Sequence, residues 1–108
     1  MSAHDEQAHR VARNEAVLRE VNERIEELLD DAAHPEFFCE CGEGRCVETI
    51  EVSIAEYTAV RSSPLRFVVR PGHELPQFER VVEETNLYRV VEKVGDAGEV
   101  ARELDSRS

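Results

Sequence analysis

The sequence predicts an α+β fold with a long N-terminal helix, a cysteine-containing knuckle and a small, mostly antiparallel sheet of three or four strands with one short helix. Three observations predict it. The chain begins with a stretch of helix formers that lacks Pro and Gly. Three Cys and two Gly lie close together in the middle, and short β-branched runs separated by turn residues follow. At 108 residues the chain is long enough for one domain and too short for two.

The first predicted element is an amphipathic helix over residues 10–33, preceded by a flexible segment over residues 1–9. His34-Pro35 ends this helix, because a residue before proline avoids the helical region. The apolar residues follow at steps of three and four and form one narrow stripe, which Val11 extends one heptad back. The stripe consists of Leu18, Val21, Ile25, Leu28 and Ala32. The stripe either packs on the protein's own sheet, which we favour in a small domain, or pairs with another helix.

Residues 34–96 are predicted to form the rest of the domain. Residues 47–52 alternate as a strand does, and Ser53 with Glu56 forms a capping box that begins a short helix. Residues 65–70 form the next predicted strand, and Pro71-Gly72 ends it with a turn.

The C-terminal third contains two segments that share a Val-Val-Glu core. Residues 88–94 read clearly as a strand, whereas residues 78–84 are compatible with either a helix or a strand. We prefer a hairpin that turns through Asn86. Gly95 and Gly98 then interrupt the sheet, and residues 97–108 are predicted to be a flexible tail, with a last helical turn as the alternative.

The formal net charge of −11 argues against two classes of partner. So acidic a surface repels phosphate backbones and anionic lipids, so we expect neither nucleic-acid nor membrane binding. No apolar run has the length of a membrane span, and residues 1–10 lack the apolar stretch of a secretory signal. We therefore expect a cytoplasmic protein with reduced thiols.

The motif with the clearest chemistry is Cys39-Glu40-Cys41-Gly42-Glu43-Gly44-Arg45-Cys46. Zn²⁺ in a structural site takes four nitrogen or sulfur ligands, and three thiolates held this close without a cation would repel one another. The two glycines allow the loop to bring the third thiol towards the first two. The sequence thus predicts that Cys39, Cys41 and Cys46 bind Zn²⁺. The alternative is three buried or reactive thiols without a metal.

The fourth ligand has to come from outside the motif. His73 follows the rigid Pro71-Gly72 turn and is the first candidate, with Glu74 as a possible acceptor for its second ring N–H. His34, five residues before Cys39, is the second candidate, and water or a carboxylate is the third.

The chain also resembles a family of small, uncharacterised bacterial proteins, mostly from actinobacteria. The matching stretches are Arg13-Asn14-Glu15-Ala16, Val21-Asn22-Glu23, Phe38-Cys39-Glu40-Cys41 with Cys46, Glu56-Tyr57 with Val60-Arg61, residues 67–74 and residues 88–93. The resemblance implies that the three Cys and His73 belong to one site, which favours His73 over His34. It implies no activity.

The sequence favours a zinc-binding protein-interaction or regulatory module that is not an enzyme, and that binds a protein partner or a second copy through its N-terminal helix. The alternative is a redox-responsive zinc-thiolate regulator of the anti-sigma type, in which oxidation ejects the metal. A metal-dependent enzyme is the third interpretation. The chain shows no Ser/His/Asp set, no phosphate-binding glycine loop and no HExxH helix.

Overall fold

The computed structural model describes residues 3–30, 34–43 and 45–105 and confirms the α+β class. The described elements are α1 (Ala3–Leu28), β1 (Glu36–Phe38), β2 (Thr49–Glu51), α2 (Ile54–Val60), β3 (Arg66–Val69), β4 (Glu79–Glu84), β5 (Arg89–Lys93) and α3 (Gly95–Glu103).

The described strands form two antiparallel sheets rather than the single sheet predicted. One sheet consists of β1 and β2, and the other has the order β3-β5-β4. The predicted hairpin between residues 78–84 and 88–94 is confirmed, because β4 pairs antiparallel with β5 and Val81 lies opposite Val91. The central strand β5 buries Val90 on one face and Val91 on the other, so the three-stranded sheet has a core on each side.

The predicted capping box begins α2. The Ser53 hydroxyl accepts a hydrogen bond from the Glu56 amide at 3.0 Å and donates to its carboxylate at 2.8 Å. Of the residues that α2 turns inward, Tyr57 is fully buried and stacks on Phe37 with the ring centroids 4.4 Å apart. These rings and Val90 belong to the core on one side of the sheet. The short helix between the first predicted strands is therefore where the sequence placed it.

Most of the apolar stripe that was predicted to pack α1 against the sheet is exposed, and a different face of α1 is buried. Leu28 is 81% exposed and Val21 is 41% exposed, while Ile25 is partly buried against the core. Leu18 is also only partly buried, and Ala32 lies outside the described residues. Where the burial of α1 is described, Val11 at the start of the stripe is buried, together with Ala12 and four polar or charged residues, Glu15, Arg19, Asn22 and Glu23.

Partners distant in the sequence explain why α1 buries polar side chains. The Arg19 guanidinium donates to the carbonyl oxygens of Pro64 at 2.9 Å and Ala101 at 3.5 Å. It also lies 4.4 Å from the centre of the Phe67 ring, a cation–π contact. A buried polar group is tolerated when it has such partners, and none of them is visible in the helix's own periodicity.

The two terminal segments predicted to be flexible are helical where they are described. α1 begins at Ala3 instead of residue 10, and its Val11 packs with Phe78 and Ala97. The predicted tail belongs largely to α3, whose buried residues include Val100 and Ala101. The helices extend into these segments because α3 packs against β5 and α1 lies against α3. Residues 1–2 and 106–108 lie outside the described part of the chain.

A buried cluster of three ionisable side chains lies between α1 and the sheet. The Lys93 ammonium is 2.5 Å from a carboxylate oxygen of Glu15 and also contacts Glu79. Glu79 accepts a further hydrogen bond from the Leu75 amide at 2.9 Å. Burial raises the pKa of Glu15 to about 8, against the attraction of Lys93 and with the additional repulsion of Glu79 and Glu40. The folded protein thus keeps a proton on Glu15 at neutral pH.

We expect the free energy of unfolding to fall above the unfolded pKa of 4.5, with a slope of about 1.4 kcal/mol per pH unit near pH 6.5 and about half that slope at pH 8, and to level off at higher pH. Unfolded Glu15, with an ordinary pKa of 4.5, has already lost the proton that the folded protein retains. Urea denaturation of the metal-loaded protein at several pH values measures the slope. Glu15→Gln should remove it, whereas Glu20→Gln on the exposed face of α1 should preserve it. Equal slopes in both variants would contradict the assignment.

Candidate metal centre

The cysteine knuckle is the loop of the β1–β2 hairpin. The hairpin places Phe38 opposite Thr49, and the Cys39 amide continues the pairing by donating to the Glu48 carbonyl at 2.9 Å. Within the loop, the Cys46 amide donates to the Glu43 carbonyl at 2.9 Å. The antiparallel strands therefore bring the first and third cysteines together at one end of the hairpin.

Gly42 allows the knuckle to approach α1. Its φ of +73° lies in the left-handed region that favours glycine. A Cβ at this position would lie 2.6 Å from the Val11 side chain and 3.0 Å from that of Glu15. Asn14 donates to the Gly42 carbonyl at 3.0 Å, so α1 lies directly on the loop. Gly44, also predicted to shape the turn, lies outside the described residues.

The structure brings together the four predicted site residues, Cys39, Cys41, Cys46 and His73. Their ligand atoms all lie within 4.8 Å of one another. The His73 Nδ1 atom is 3.5 Å from the Cys39 sulfur and 3.7 Å from the Cys46 sulfur. A tetrahedral site with Zn–S bonds of about 2.3 Å separates its sulfurs by about 3.8 Å. Three Cys and one His thus lie close enough to bind a metal ion.

The turn after β3 presents His73 to the cluster. Gly72 adopts a φ of +91°, and the His73 amide donates to the Arg70 carbonyl at 3.0 Å, which closes the turn. The other candidate, His34, is exposed and lines a separate cavity beside Glu51 and Glu56. The structure thus brings His73, and not His34, to the cysteines.

The second ring nitrogen of His73 has a different partner from the one predicted. His73 Nε2 lies 3.2 Å from a Glu48 carboxylate oxygen, whereas the Glu74 carboxylate accepts the Gly72 amide at 2.6 Å. A carboxylate on one ring nitrogen orients the imidazole and leaves the other nitrogen as the ligand. Glu74 was the wrong prediction because its carboxylate is used within its own turn, while the β1–β2 hairpin brings Glu48 to the imidazole.

Backbone amides favour negative charge on the sulfurs. The Arg70 amide donates to the Cys39 sulfur at 3.2 Å, and the Glu43 amide helps to lower the pKa of Cys41. Burial raises the pKa of Cys46, and the Glu48 amide opposes this rise. Such N–H···S bonds are charge-assisted when the sulfur is a thiolate.

The three thiols cannot all ionise without a cation. The hydrogen bond between Cys39 and Cys41 lowers the pKa of Cys41 to about 5 and raises the pKa of Cys39. Burial raises the pKa of Cys39 and of Cys46. Ionisation of one thiol therefore disfavours ionisation of the other two. A bound divalent cation would remove this conflict, because each thiolate would then face positive charge.

The site is buried on one side and accessible on the other. Cys39 and Cys41 are 1% exposed and pack with Phe67, Val69 and Val91. Cys46 and His73 are partly exposed. Four protein donors suffice for tetrahedral coordination and leave no position for water or substrate. This donor count is that of a structural metal site.

Two residues that support the knuckle were not predicted to do so, although both lie in stretches that carry the family resemblance. Glu40 is fully buried between the first two cysteines, and Asn22 of α1 donates to it at 2.9 Å. Two sequence features could have indicated this role: Glu40 lies between two predicted ligands, and Asn22 is a polar residue within a long helix.

Comparisons with known proteins identify no relative. No family model, curated protein or solved structure matches the chain. The resemblance to small actinobacterial proteins therefore stays a prediction. Among the described helices, none combines the length and the apolar character required to cross a membrane.

Proposed function

We propose that this protein is a cytoplasmic zinc-binding module, in which Cys39, Cys41, Cys46 and His73 bind one Zn²⁺ that stabilises the fold, and that it acts in protein interaction or regulation and not in catalysis. The observation that carries the proposal is the convergence of three sulfurs and one imidazole nitrogen within 4.8 Å. Thiolate and imidazole donors in a tetrahedral arrangement suit Zn²⁺ and disfavour Mg²⁺ and Ca²⁺, which prefer oxygen.

The test is metal analysis of protein purified without a metal-affinity tag. One equivalent of zinc is expected, and replacement by Co²⁺ should give the absorption of tetrahedral thiolate coordination. His73→Ala should alter that spectrum, whereas Glu74→Gln should leave it unchanged because Glu74 binds the Gly72 amide. Substoichiometric zinc, or a spectrum insensitive to His73→Ala, would contradict the proposed site.

The proposal assigns the exposed face of α1 to a second copy of this chain. This face carries Val17, Val21 and Leu28, which are 61%, 41% and 81% exposed. Arg10 lies near one end of the face and Glu27 near the other. Antiparallel pairing centred between the two valines buries both and brings the Arg10 end of one helix beside the Glu27 end of the other.

Light scattering at tens of micromolar protein should therefore give twice the mass of one chain. Because each chain carries a net charge of −11, added salt should strengthen the association by screening the repulsion between copies. Val21→Glu should give a folded monomer, while Val47→Glu, at an exposed position outside α1, should leave the dimer intact. A monomeric wild-type protein at both low and high salt would contradict this interface and leave a different protein as the partner.

A redox-responsive regulator is the second candidate function. It is favoured by the partial exposure of Cys46 beside two buried cysteines. Peroxide would take two electrons from two thiolates and be reduced to water, a disulfide would form, and the metal would be released. Peroxide titration with a zinc-sensitive dye tests it. Zinc release at low equivalents supports this function, and retention of zinc argues for a purely structural site.

A further inference from the structure

The Glu40 carboxylate connects the cysteine knuckle to three other parts of the fold. Its side chain is fully buried. It accepts hydrogen bonds from the Tyr57 hydroxyl at 2.6 Å, the Asn22 side-chain amide at 2.9 Å and the Val68 amide at 3.1 Å. These donors belong to α2, α1 and β3, so one carboxylate between two cysteines contacts three separate elements of the fold.

Asn22 holds the same segment at a second point. Its Nδ2 donates to the Phe38 carbonyl at 2.8 Å, and its Oδ1 accepts from the Phe38 amide at 2.8 Å. The side-chain amide thus binds Phe38 as a neighbouring strand would. The same Nδ2 also donates to the Glu40 carboxylate, so Asn22 contacts the backbone before Cys39 and the side chain after it.

We propose that Glu40 and Asn22 are positioning residues that couple metal binding at the knuckle to the docking of α1. This inference rests on the proposed zinc site. The two side chains hold Cys39 and Cys41 in the register that one ion requires. In return, an ion that joins both sulfurs fixes the Phe38 backbone and Glu40 where Asn22 contacts them. Such coupling is reciprocal. If docking of α1 increases the affinity for metal, bound metal stabilises the docking of α1 by the same free energy.

A purely structural role for this polar cluster makes a different prediction. A buried carboxylate with three donors stabilises a fold whether or not metal is bound, and its loss lowers stability equally in both states. The two roles are separated by zinc affinity and by the effect of zinc on hydrogen exchange in α1, which a structural role alone would leave unchanged.

Two variants remove the link without touching a ligand. Asn22→Ala deletes the contacts to Phe38 and Glu40 from the α1 side. Glu40→Gln is milder. The oxygen of the new glutamine side chain can still accept the Val68 amide, and its NH₂ group can donate to the Tyr57 hydroxyl. That NH₂ group then faces the NH₂ group of Asn22, and two donors cannot bond, so the variant weakens the link to α1. Val60→Ala is the control, because Val60 is buried in the same core and contributes no hydrogen bond to Glu40.

The experiment measures zinc affinity by competition with a chromophoric chelator, and hydrogen exchange of α1 with and without zinc. Asn22→Ala should bind one equivalent of zinc about 10- to 100-fold more weakly than wild type, the range found when a partner of a metal ligand is lost. Glu40→Gln should also lower the zinc affinity, and Val60→Ala should leave the zinc affinity unchanged. Zinc should slow exchange of α1 in the wild type and much less in the first two variants.

Several results would overturn the proposal. One is wild-type affinity in both Asn22→Ala and Glu40→Gln, and another is an equal loss in Val60→Ala. A third is equal exchange of α1 in zinc-free and zinc-loaded wild type. If Asn22→Ala does not fold, Glu40→Gln and the wild-type exchange decide. A wild-type protein that binds no zinc is recognised in the first titration, and it overturns the proposed function together with this inference.

Discussion

A Cys41→Ser variant is expected to lose more than about 100-fold in zinc affinity, beyond the loss typical of a partner outside the ligand set. A serine hydroxyl does not ionise at neutral pH and cannot replace a thiolate as a zinc ligand. Cys41 is 1% exposed and is the thiol with the lowered pKa, so its loss removes the sulfur that carries charge most readily. Because the binding energy of a structural zinc contributes to folding, the variant should also be less stable.

Chelator competition and thermal unfolding, each with and without added zinc, measure both effects. In the wild type, zinc should raise the midpoint of unfolding, and in Cys41→Ser it should raise it little. Glu74→Gln is the matched control beside His73 and should behave as the wild type. A zinc-dependent rise in the midpoint that survives Cys41→Ser would show that this cysteine is not a ligand.

The second large effect is expected from Arg61→Ala, which should lower the free energy of unfolding by about 3–5 kcal/mol. The Arg61 guanidinium is fully buried, 2.8 Å from Asp105 and 3.3 Å from Glu23. It therefore joins the end of α2 to α1 and to the residues that follow α3. The variant would remove the cation that Glu23 and Asp105 share, and removing one partner from a buried ion pair is strongly destabilising.

Urea denaturation of metal-loaded protein measures this loss. Arg66→Ala is the matched control, because Arg66 pairs with Glu92 at 3.0 Å but is 43% exposed at its side chain, where an ion pair contributes at most about 1 kcal/mol. Replacing all three buried charges together, with Glu23→Leu, Arg61→Met and Asp105→Leu, should restore much of the stability. A loss from Arg61→Ala no larger than that of Arg66→Ala would mean that the cluster is hydrated.

Local patterns in the sequence predicted those elements whose causes are local. The capping box of Ser53 and Glu56 and the β4–β5 hairpin depend on neighbours a few residues apart, and both were identified correctly. The inward face of α1 was not, because Arg19 and Asn22 are satisfied by groups far along the chain. The periodicity of apolar residues identifies the buried face of a helix only when the buried side chains are themselves apolar.

The same distinction explains the site. Three cysteines in eight residues identify their own cluster, and the rigid turn at Pro71-Gly72 made His73 a good fourth candidate. The carboxylates around the cluster were not predictable in this way. Glu48 reaches His73 only because β1 and β2 pair, and Glu40 is enclosed only because α1, α2 and β3 meet above the knuckle. Residues that orient ligands depend on the finished fold.

The contacts of Arg19 have a consequence for the growing chain. This side chain reaches the carbonyl of Ala101, 82 residues later, so roughly 4 to 16 s pass between the synthesis of the two residues at about 5–20 residues per second. During this interval the ribosome exposes α1 with a polar inward face that water solvates well. The inward face, with Arg19 and Asn22 still hydrated, therefore adds little apolar surface to the nascent chain until α3 has been made and can accept it.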